Sequence, residues 1–179
     1  MKEITIQNKS FSVYLSQEDI AGIISNLANT INSAYEDKKD VILISILDGA
    51  FMFLADLVRE LNFPHLIHFV KIRSYDDIIS TGQVEYVLDL NISVKDKHVL
   101  VVEDIIDTGL TLESFMAKLK ADAPASVKIC TLLSKPDVHN DIVDVDFVGK
   151  EIPPEFIVGY GLDLNGQGRH LPDIYKLKI

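Results

Sequence analysis

The chain is poor in cysteine, in long apolar runs and in positive charge. Its single cysteine, Cys130, excludes an intrachain disulfide and suits a reducing compartment. No apolar run in the sequence reaches the ~18 residues that a membrane-spanning helix needs. Lys and Arg number 17 against 27 Asp and Glu, for a formal net charge of −10. That balance argues against a general affinity for nucleic acid or for an anionic membrane.

Internal repeats, low-complexity tracts and linkers are also missing from the 179 residues. With 47% hydrophobic and 25% charged residues, the composition is typical of a globular protein, and we expect one domain over residues 1–179. The first residues, Met1–Gln7, alternate as in a β-strand and lack the apolar core of a signal peptide. We therefore expect a cytoplasmic protein.

The most informative stretch is His98–Thr111, which reads HVLVVEDIIDTGLT. It begins with an aliphatic run typical of a strand buried on both faces, and then places Glu103, Asp104 and Asp107 within five residues. Apolar residues then follow with the helical period, at Leu112, Phe115, Met116 and Leu119. In open α/β sheets, ligands bind beyond the carboxyl ends of the strands, and a helix N-terminus favours phosphate. We expect a sugar phosphate here. The simpler alternative is an Asp or Thr that only caps the helix.

A second unit of the same kind begins with the buried strand Val41–Leu47, followed by Asp48 and Gly49. Two strand–loop–helix units predict a central, mostly parallel sheet flanked by helices, with right-handed crossovers. The helix after Gly49 has an apolar face formed by Phe51, Leu54, Ala55 and Val58. The other predicted elements are a helix over 17–35 with Ser16 as its N-cap, and strands over 66–72, 84–90 and 127–133.

The segment Val101–Gly109 resembles the phosphoribosyl-pyrophosphate (PRPP) binding signature of type I phosphoribosyltransferases, and its detail is similar to the hypoxanthine/guanine branch. The resemblance covers about residues 40–179. It implies the Rossmann-like type I phosphoribosyltransferase fold with a small hood, built from the N-terminal strand and residues from about 145 to 179. It also implies transfer of the phosphoribosyl group from PRPP to hypoxanthine and guanine, with Mg²⁺ as the cofactor and pyrophosphate as a product.

The resemblance gives a role to each matching residue. Asp107 is the implied general base, and Glu103 and Asp104 contact the ribose hydroxyls directly or through Mg²⁺. The other implied sets are the ribose-phosphate loop (Asp107, Thr108, Gly109, Leu110, Thr111), the pyrophosphate site (Leu47, Asp48, Gly49, Arg169), the lid (Ser74, Tyr75), the purine site (Lys135, Phe156, Ile157, Asp163) and the metal ligands (Glu103, Asp104, Asp163).

Two positions depart from the family pattern. Many relatives carry Lys or Arg where this chain has Asp48. An acid there repels pyrophosphate, so Asp48 either points away, meets a metal or its waters, or caps the following helix. Leu110 stands where Lys is frequent, and phosphate binding then depends more on backbone amides.

Other functions share parts of this pattern. A phosphoribosyltransferase-like regulator that binds nucleic acid keeps the fold but calls for a basic surface. A receiver domain also places acids at strand ends, but it leaves the residues beyond about 140 unexplained. A donor at Lys135 favours a 6-oxopurine over adenine, whereas the choice among hypoxanthine, guanine and xanthine stays open. Family members commonly form homo-oligomers, so we expect a homodimer or homotetramer.

Overall fold

The computed structural model describes residues 3–74, 84–139 and 142–178. None of the helices in these ranges is long and apolar enough to cross a membrane. In chain order the elements are β1 (Glu3–Ile6), β2 (Lys9–Leu15), α1 (Gln17–Tyr35), β3 (Val41–Leu47), α2 (Phe51–Glu60), β4 (His65–Ser74), β5 (Val84–Leu88), β6 (His98–Ile106), α3 (Leu110–Ala121), β7 (Ser126–Ser134), α4 (Pro136–His139), β8 (Phe147–Glu151), β9 (Ile157–Val158) and β10 (Ile174–Leu177).

The strands form a large and a small sheet. The large sheet has the order β5-β4-β3-β6-β7-β8, and its strands are parallel except β5, which is antiparallel to β4. This confirms the predicted mostly parallel sheet. The small sheet, β1-β2-β10-β9, is antiparallel. β8 belongs to the large sheet, and the chain joins the small sheet again at Ile157. The hood over about residues 145–179 stays a prediction.

The central strands are buried on both faces because helices cover both faces of the large sheet. In β6, Leu100 and Val102 pack into a core cluster with residues of α1 and α2, whereas Val99 and Val101 pack on the other face with residues of α3. Successive strand residues point to opposite faces, so a continuous aliphatic run serves both clusters.

The helix predicted over 17–35 begins and ends as expected. Ser16 Oγ accepts a hydrogen bond from the Asp19 backbone N–H at 3.1 Å, and the Asp19 carboxylate accepts one from the Ser16 backbone N–H at 3.0 Å. This reciprocal capping box satisfies amides that the first helical turn leaves unpaired.

The prediction of which face of α2 is buried is wrong, because the buried face is rotated about the helix axis from the predicted one. Phe53, Leu54 and Leu57 are the buried residues of this helix, whereas Phe51 is 43% exposed. The sequence FMFLADLV contains two adjacent apolar faces with the same helical spacing, so periodicity alone does not choose between them.

Candidate active site

Asp48, Asp107 and Lys135 lie where three parallel neighbours, β3, β6 and β7, end. Strand register pairs Ile106 with Ser134, and the Lys135 backbone N–H donates to the Ile106 carbonyl at 2.9 Å. This pairing brings Lys135 next to Asp107 although 28 residues separate them. The carboxyl edge of the sheet therefore holds the candidate site, as expected for open α/β folds.

The loop between β6 and α3 forms a pocket of about 150 Å³. Gly109 is the residue that caps α3, with a left-handed φ of 77°, so Asp107 and Thr108 do not cap the helix and the simpler alternative is wrong. Leu110 is 53% exposed and does not line this pocket. The lining residues are Glu103, Ile105, Ile106, Asp107, Thr108, Gly109, Thr111 and Leu112.

Glu103 and Asp104, which we call the acid pair, come just before this loop, and few positive groups offset their burial. Burial raises the pKa of Glu103 well above its usual value, and the charge of Asp104 raises it further. Burial raises the pKa of Asp104 to about 6, against the opposing effects of backbone N–H groups and of Arg169. Glu103 Oε2 is buried, with no hydrogen-bond partner among the described residues. Such oxygens are suited to hydroxyl donors or to a cation supplied by a ligand.

The acid pair also fits the implied Mg²⁺. Within residues 3–74, 84–139 and 142–178, no three His, Cys, Asp or Glu side chains converge to hold a metal ion alone. Mg²⁺, however, keeps several waters and is usually held by one or two carboxylates together with substrate phosphates. Glu103 lines the pocket of the β6–α3 loop and Asp104 lies against Gly49, so each is a candidate carboxylate for such an ion.

Three cations at the site are each bound by an acid. The pairs are Lys71–Asp48 at 2.6 Å, Lys135–Asp107 at 2.8 Å and Arg169–Asp163 at 2.7 Å. The charge of Arg169 also acts on Asp104, which places the Arg169–Asp163 pair close to the acid pair. An anionic substrate thus meets cations that the protein has already oriented.

The loop Leu47–Gly49, which we call the packed loop, lies between the acid pair and the small-sheet region. A Cβ added to Gly49 would lie 1.8 Å from Asp104 Oδ2, and one added to Gly161 would lie 2.0 Å from the Gly49 carbonyl oxygen. The residue that caps α2 is Ala50, so the alternative in which Asp48 only caps this helix is wrong. Asp48 instead binds Lys71.

The predicted purine residues occupy different environments. Phe156 is 44% exposed and lies 6.3 Å from the Phe11 ring centroid, in a tilted arrangement. Ile157 is buried in the core. Ser74 ends β4, and Tyr75 lies outside the described residues, so the lid remains a prediction.

Sequence reasoning missed Lys71 and His139. His139 is buried, with Nε2 3.0 Å from Ser134 Oγ, and its Cβ lies 3.6 Å from the position of a Cβ on Gly109. It thus packs between the end of β7 and the ribose-phosphate loop. A lone histidine carries no signal of such a role, and the Lys71 pairing depends on the register of β4 against β3.

Comparisons with known proteins show the family of this chain. The family model for the phosphoribosyl transferase domain matches residues 11–165. The chain is 43% identical over 170 residues to a hypoxanthine phosphoribosyltransferase of Haemophilus influenzae, covering 93% of this chain and 95% of the relative. It is 38% identical over 179 residues to a hypoxanthine-guanine phosphoribosyltransferase of Aquifex aeolicus, covering 99% of each. The crystal structure of a hypoxanthine phosphoribosyltransferase of Staphylococcus aureus matches with a TM-score of 0.89 and 39% identity, covering 93% of this chain and 91% of that one. The chain therefore belongs to the phosphoribosyltransferase family.

Proposed function

We propose that this protein is a purine salvage enzyme that transfers the 5-phosphoribosyl group of PRPP to hypoxanthine, and to guanine as well, and releases pyrophosphate. The observation that carries the proposal is the contact between Lys135 Nζ and Asp107 Oδ2 at 2.8 Å. It joins a hydrogen-bond donor for a 6-oxopurine to a carboxylate that lines the ribose-phosphate pocket.

The base is bound through its oxygen, a ring nitrogen and its face. Lys135 donates to the exocyclic oxygen at position 6, where the amino group of adenine would place donor against donor. Asp107 accepts the proton of the ring nitrogen N7, and Phe156, whose side chain is exposed, stacks on the purine. Ile157 and Asp163 complete the purine site, Ile157 through its backbone.

The phosphoribosyl group is bound by two sets of groups. Backbone amides of residues 107–111, with the Thr108 and Thr111 hydroxyls, hold the 5′-phosphate at the N-terminus of α3. Glu103 and Asp104 accept hydrogen bonds from the ribose hydroxyls. Mg²⁺, held by this acid pair with Asp163 nearby, would neutralise charge on the departing pyrophosphate. The packed loop and Arg169 bind the pyrophosphate itself.

In the reaction, the bond from the ribose C1′ to the pyrophosphate oxygen breaks, and a bond from C1′ to a purine ring nitrogen forms. Pyrophosphate leaves with the electron pair, and the purine proton passes to Asp107. The sugar acquires oxocarbenium character in such a displacement, as in glycoside hydrolysis. Fixing ribose between the acid pair and the ribose-phosphate loop aligns C1′ with the incoming base.

The test is pyrophosphate release from PRPP and Mg²⁺ with hypoxanthine, guanine, xanthine or adenine. We expect turnover with hypoxanthine and guanine, and a kcat/KM for adenine lower by about 10²-fold or more. Lys135→Ala should raise the KM for purine and leave the KM for PRPP nearly unchanged. Measurable PRPP binding with no release from any purine would instead indicate a regulatory protein.

We also propose a homodimer or homotetramer acting in the cytoplasm. Ile67, Phe69 and Leu88, on one face of the β4–β5 edge, are 39%, 42% and 46% exposed, and contiguous apolar surface of this kind is typical of subunit contacts. Sedimentation velocity should show an oligomer that Phe69→Ser weakens. A wild-type monomer at micromolar concentration would contradict this.

A further inference from the structure

Lys71 is placed beside the packed loop by the register of the large sheet. The parallel pairing of β3 and β4 sets Lys71 opposite Leu47, the residue before Asp48. From there Lys71 Nζ donates to both carboxylate oxygens of Asp48, at 2.8 and 2.6 Å. The Lys71 side chain is 25% exposed and that of Asp48 46%, so the ammonium group is the more enclosed partner.

The charges around the packed loop call for such a cation. Asp48 lies on the loop, Asp104 lies against Gly49, and Asp163 pairs with Arg169. A bound pyrophosphate would add further negative charge to this set. Arg169 is the cation assigned to pyrophosphate so far, and Asp163 already offsets part of its charge.

We propose that Lys71 is a pyrophosphate-binding residue and that Asp48 positions it. A lysine ammonium has three N–H donors on a flexible stem. Two of them satisfy the Asp48 oxygens, and the third reaches a phosphate oxygen at the packed loop. The acid at position 48 thus supplies the loop with a cation from the neighbouring strand. This inference rests on the proposed function, because it assumes that pyrophosphate occupies the packed loop.

The test titrates two ligands separately into the full-length protein, magnesium pyrophosphate and inosine monophosphate, which carries no pyrophosphate. Lys71→Met should weaken pyrophosphate binding by about 10- to 100-fold, the value of a charge-assisted hydrogen bond, and leave the monophosphate Kd unchanged. The matched control is Lys97→Met. Lys97 pairs with Asp40 at 3.1 Å. The two residues directly precede β6 and β3, so they lie at the opposite end of these strands from the site. The Lys97→Met substitution should change neither Kd.

A double variant separates a direct contact from simple charge masking. If Lys71 only neutralised Asp48, the Asp48→Asn/Lys71→Met protein would bind pyrophosphate as tightly as the wild type. A direct contact predicts only partial recovery in the double variant, to a Kd still several-fold above that of the wild type. Full recovery in the double variant, no change in Lys71→Met, or an equal loss for both ligands would overturn the proposal.

These titrations test the role of Lys71 and do not test the proposed function. Wild-type turnover of PRPP with hypoxanthine tests the function itself. If the wild type turns over and Lys71→Met binds pyrophosphate normally, the role of Lys71 is wrong and the function remains.

Discussion

The loops that follow β3 and β6 have the same plan of acid, glycine and helix, yet they meet the site in different ways. After β6, Gly109 turns the chain with a φ of 77° and leaves an open pocket of about 150 Å³. After β3, Gly49 is enclosed between Asp104 and Gly161, with no space for a methyl group. The open loop can surround a phosphate with its amides. The packed loop is enclosed on two sides and cannot surround a phosphate, so cations from neighbouring elements must supply the remaining contacts to a bound anion.

The N-terminus of α1 has a side-chain cap, which the N-termini of α2 and α3 lack. Ser16 and Asp19 close that terminus with a full capping box. The corresponding positions of α2 and α3 are Ala50 and Gly109, whose side chains carry no acceptor. The amides of those first turns are therefore left for a ligand, which is the usual basis of anion binding at helix N-termini.

The largest effect should come from the acid of the open loop. Asp107→Asn keeps a hydrogen-bond acceptor for Lys135 but removes the proton acceptor, and we expect kcat to fall by about 10²- to 10⁴-fold. Steady-state kinetics and a thermal unfolding curve would show low turnover in a folded protein. Asp137→Asn, at an exposed acid in the first turn of α4, is the matched control. Turnover of Asp107→Asn within a few-fold of that control would remove the assigned role.

The next effect tests how tightly the packed loop is held. In Gly49→Ala the new methyl would collide with the Asp104 carboxylate at 1.8 Å, and the loop must shift. A displacement of about 1 Å can cost about 10²-fold in rate, so kcat/KM for PRPP should fall by that order. Gly22→Ala, where an added Cβ meets no atom within 4 Å, should leave kinetics unchanged and stabilise α1 by about 0.5–1 kcal/mol. Similar kinetics for the two variants would contradict the packed loop.

A smaller effect should come from a change of pH, because the pKa of Asp104 at the site is raised and that of Asp19 in the α1 cap is lowered. Asp104, with a pKa of about 6, must ionise to bind ribose or Mg²⁺, so the affinity for PRPP should fall by about tenfold from pH 7 to pH 5. The folded state holds this proton more tightly than the unfolded state, whose pKa is near 3.8. The Asp104 contribution to the unfolding free energy therefore falls as pH rises from about 4 to 6.

Asp19 should respond to pH in the opposite sense. The Ser16 backbone N–H lowers the pKa of Asp19, so its contribution to stability is present above about pH 4 and is lost on acidification. Titrations of PRPP affinity between pH 5 and 7, and of unfolding free energy from pH 7 to below pH 4, on the wild type and on Asp104→Asn, would separate the two carboxylates. A PRPP affinity that is flat from pH 5 to 7 would contradict the raised pKa of Asp104.

The smallest effect concerns the capped helix. Ser16→Ala removes the N-cap acceptor of α1 and should lower the unfolding free energy by about 1 kcal/mol. Neither Ser16 nor Asp19 lines the ribose-phosphate pocket, so both KM values should stay as in the wild type. Chemical denaturation and steady-state kinetics would measure the two quantities. A changed KM for PRPP would mean that α1 also takes part in binding.

The sequence predicted local features well because they depend on neighbouring residues. The Ser16 cap, the aliphatic run of β6 and the acids that follow it are all local patterns, and the family prediction from Val101–Gly109 is confirmed.

Features that depend on distant pairing were not predictable. The buried face of α2 depends on which of two equal stripes meets the sheet, and the Lys71–Asp48 pair depends on register between strands. The place of β8 in the large sheet also required the pairing with β7.

The central claim is that the open loop binds the 5′-phosphate of PRPP and the packed loop binds its pyrophosphate. Calorimetric titration of inosine monophosphate and of magnesium pyrophosphate into Thr111→Val and Gly49→Ala tests it directly, because Thr111 lines the open pocket. The account predicts that Thr111→Val weakens the monophosphate and spares pyrophosphate, and that Gly49→Ala weakens pyrophosphate more than the monophosphate. Equal losses for both ligands in either variant would contradict it.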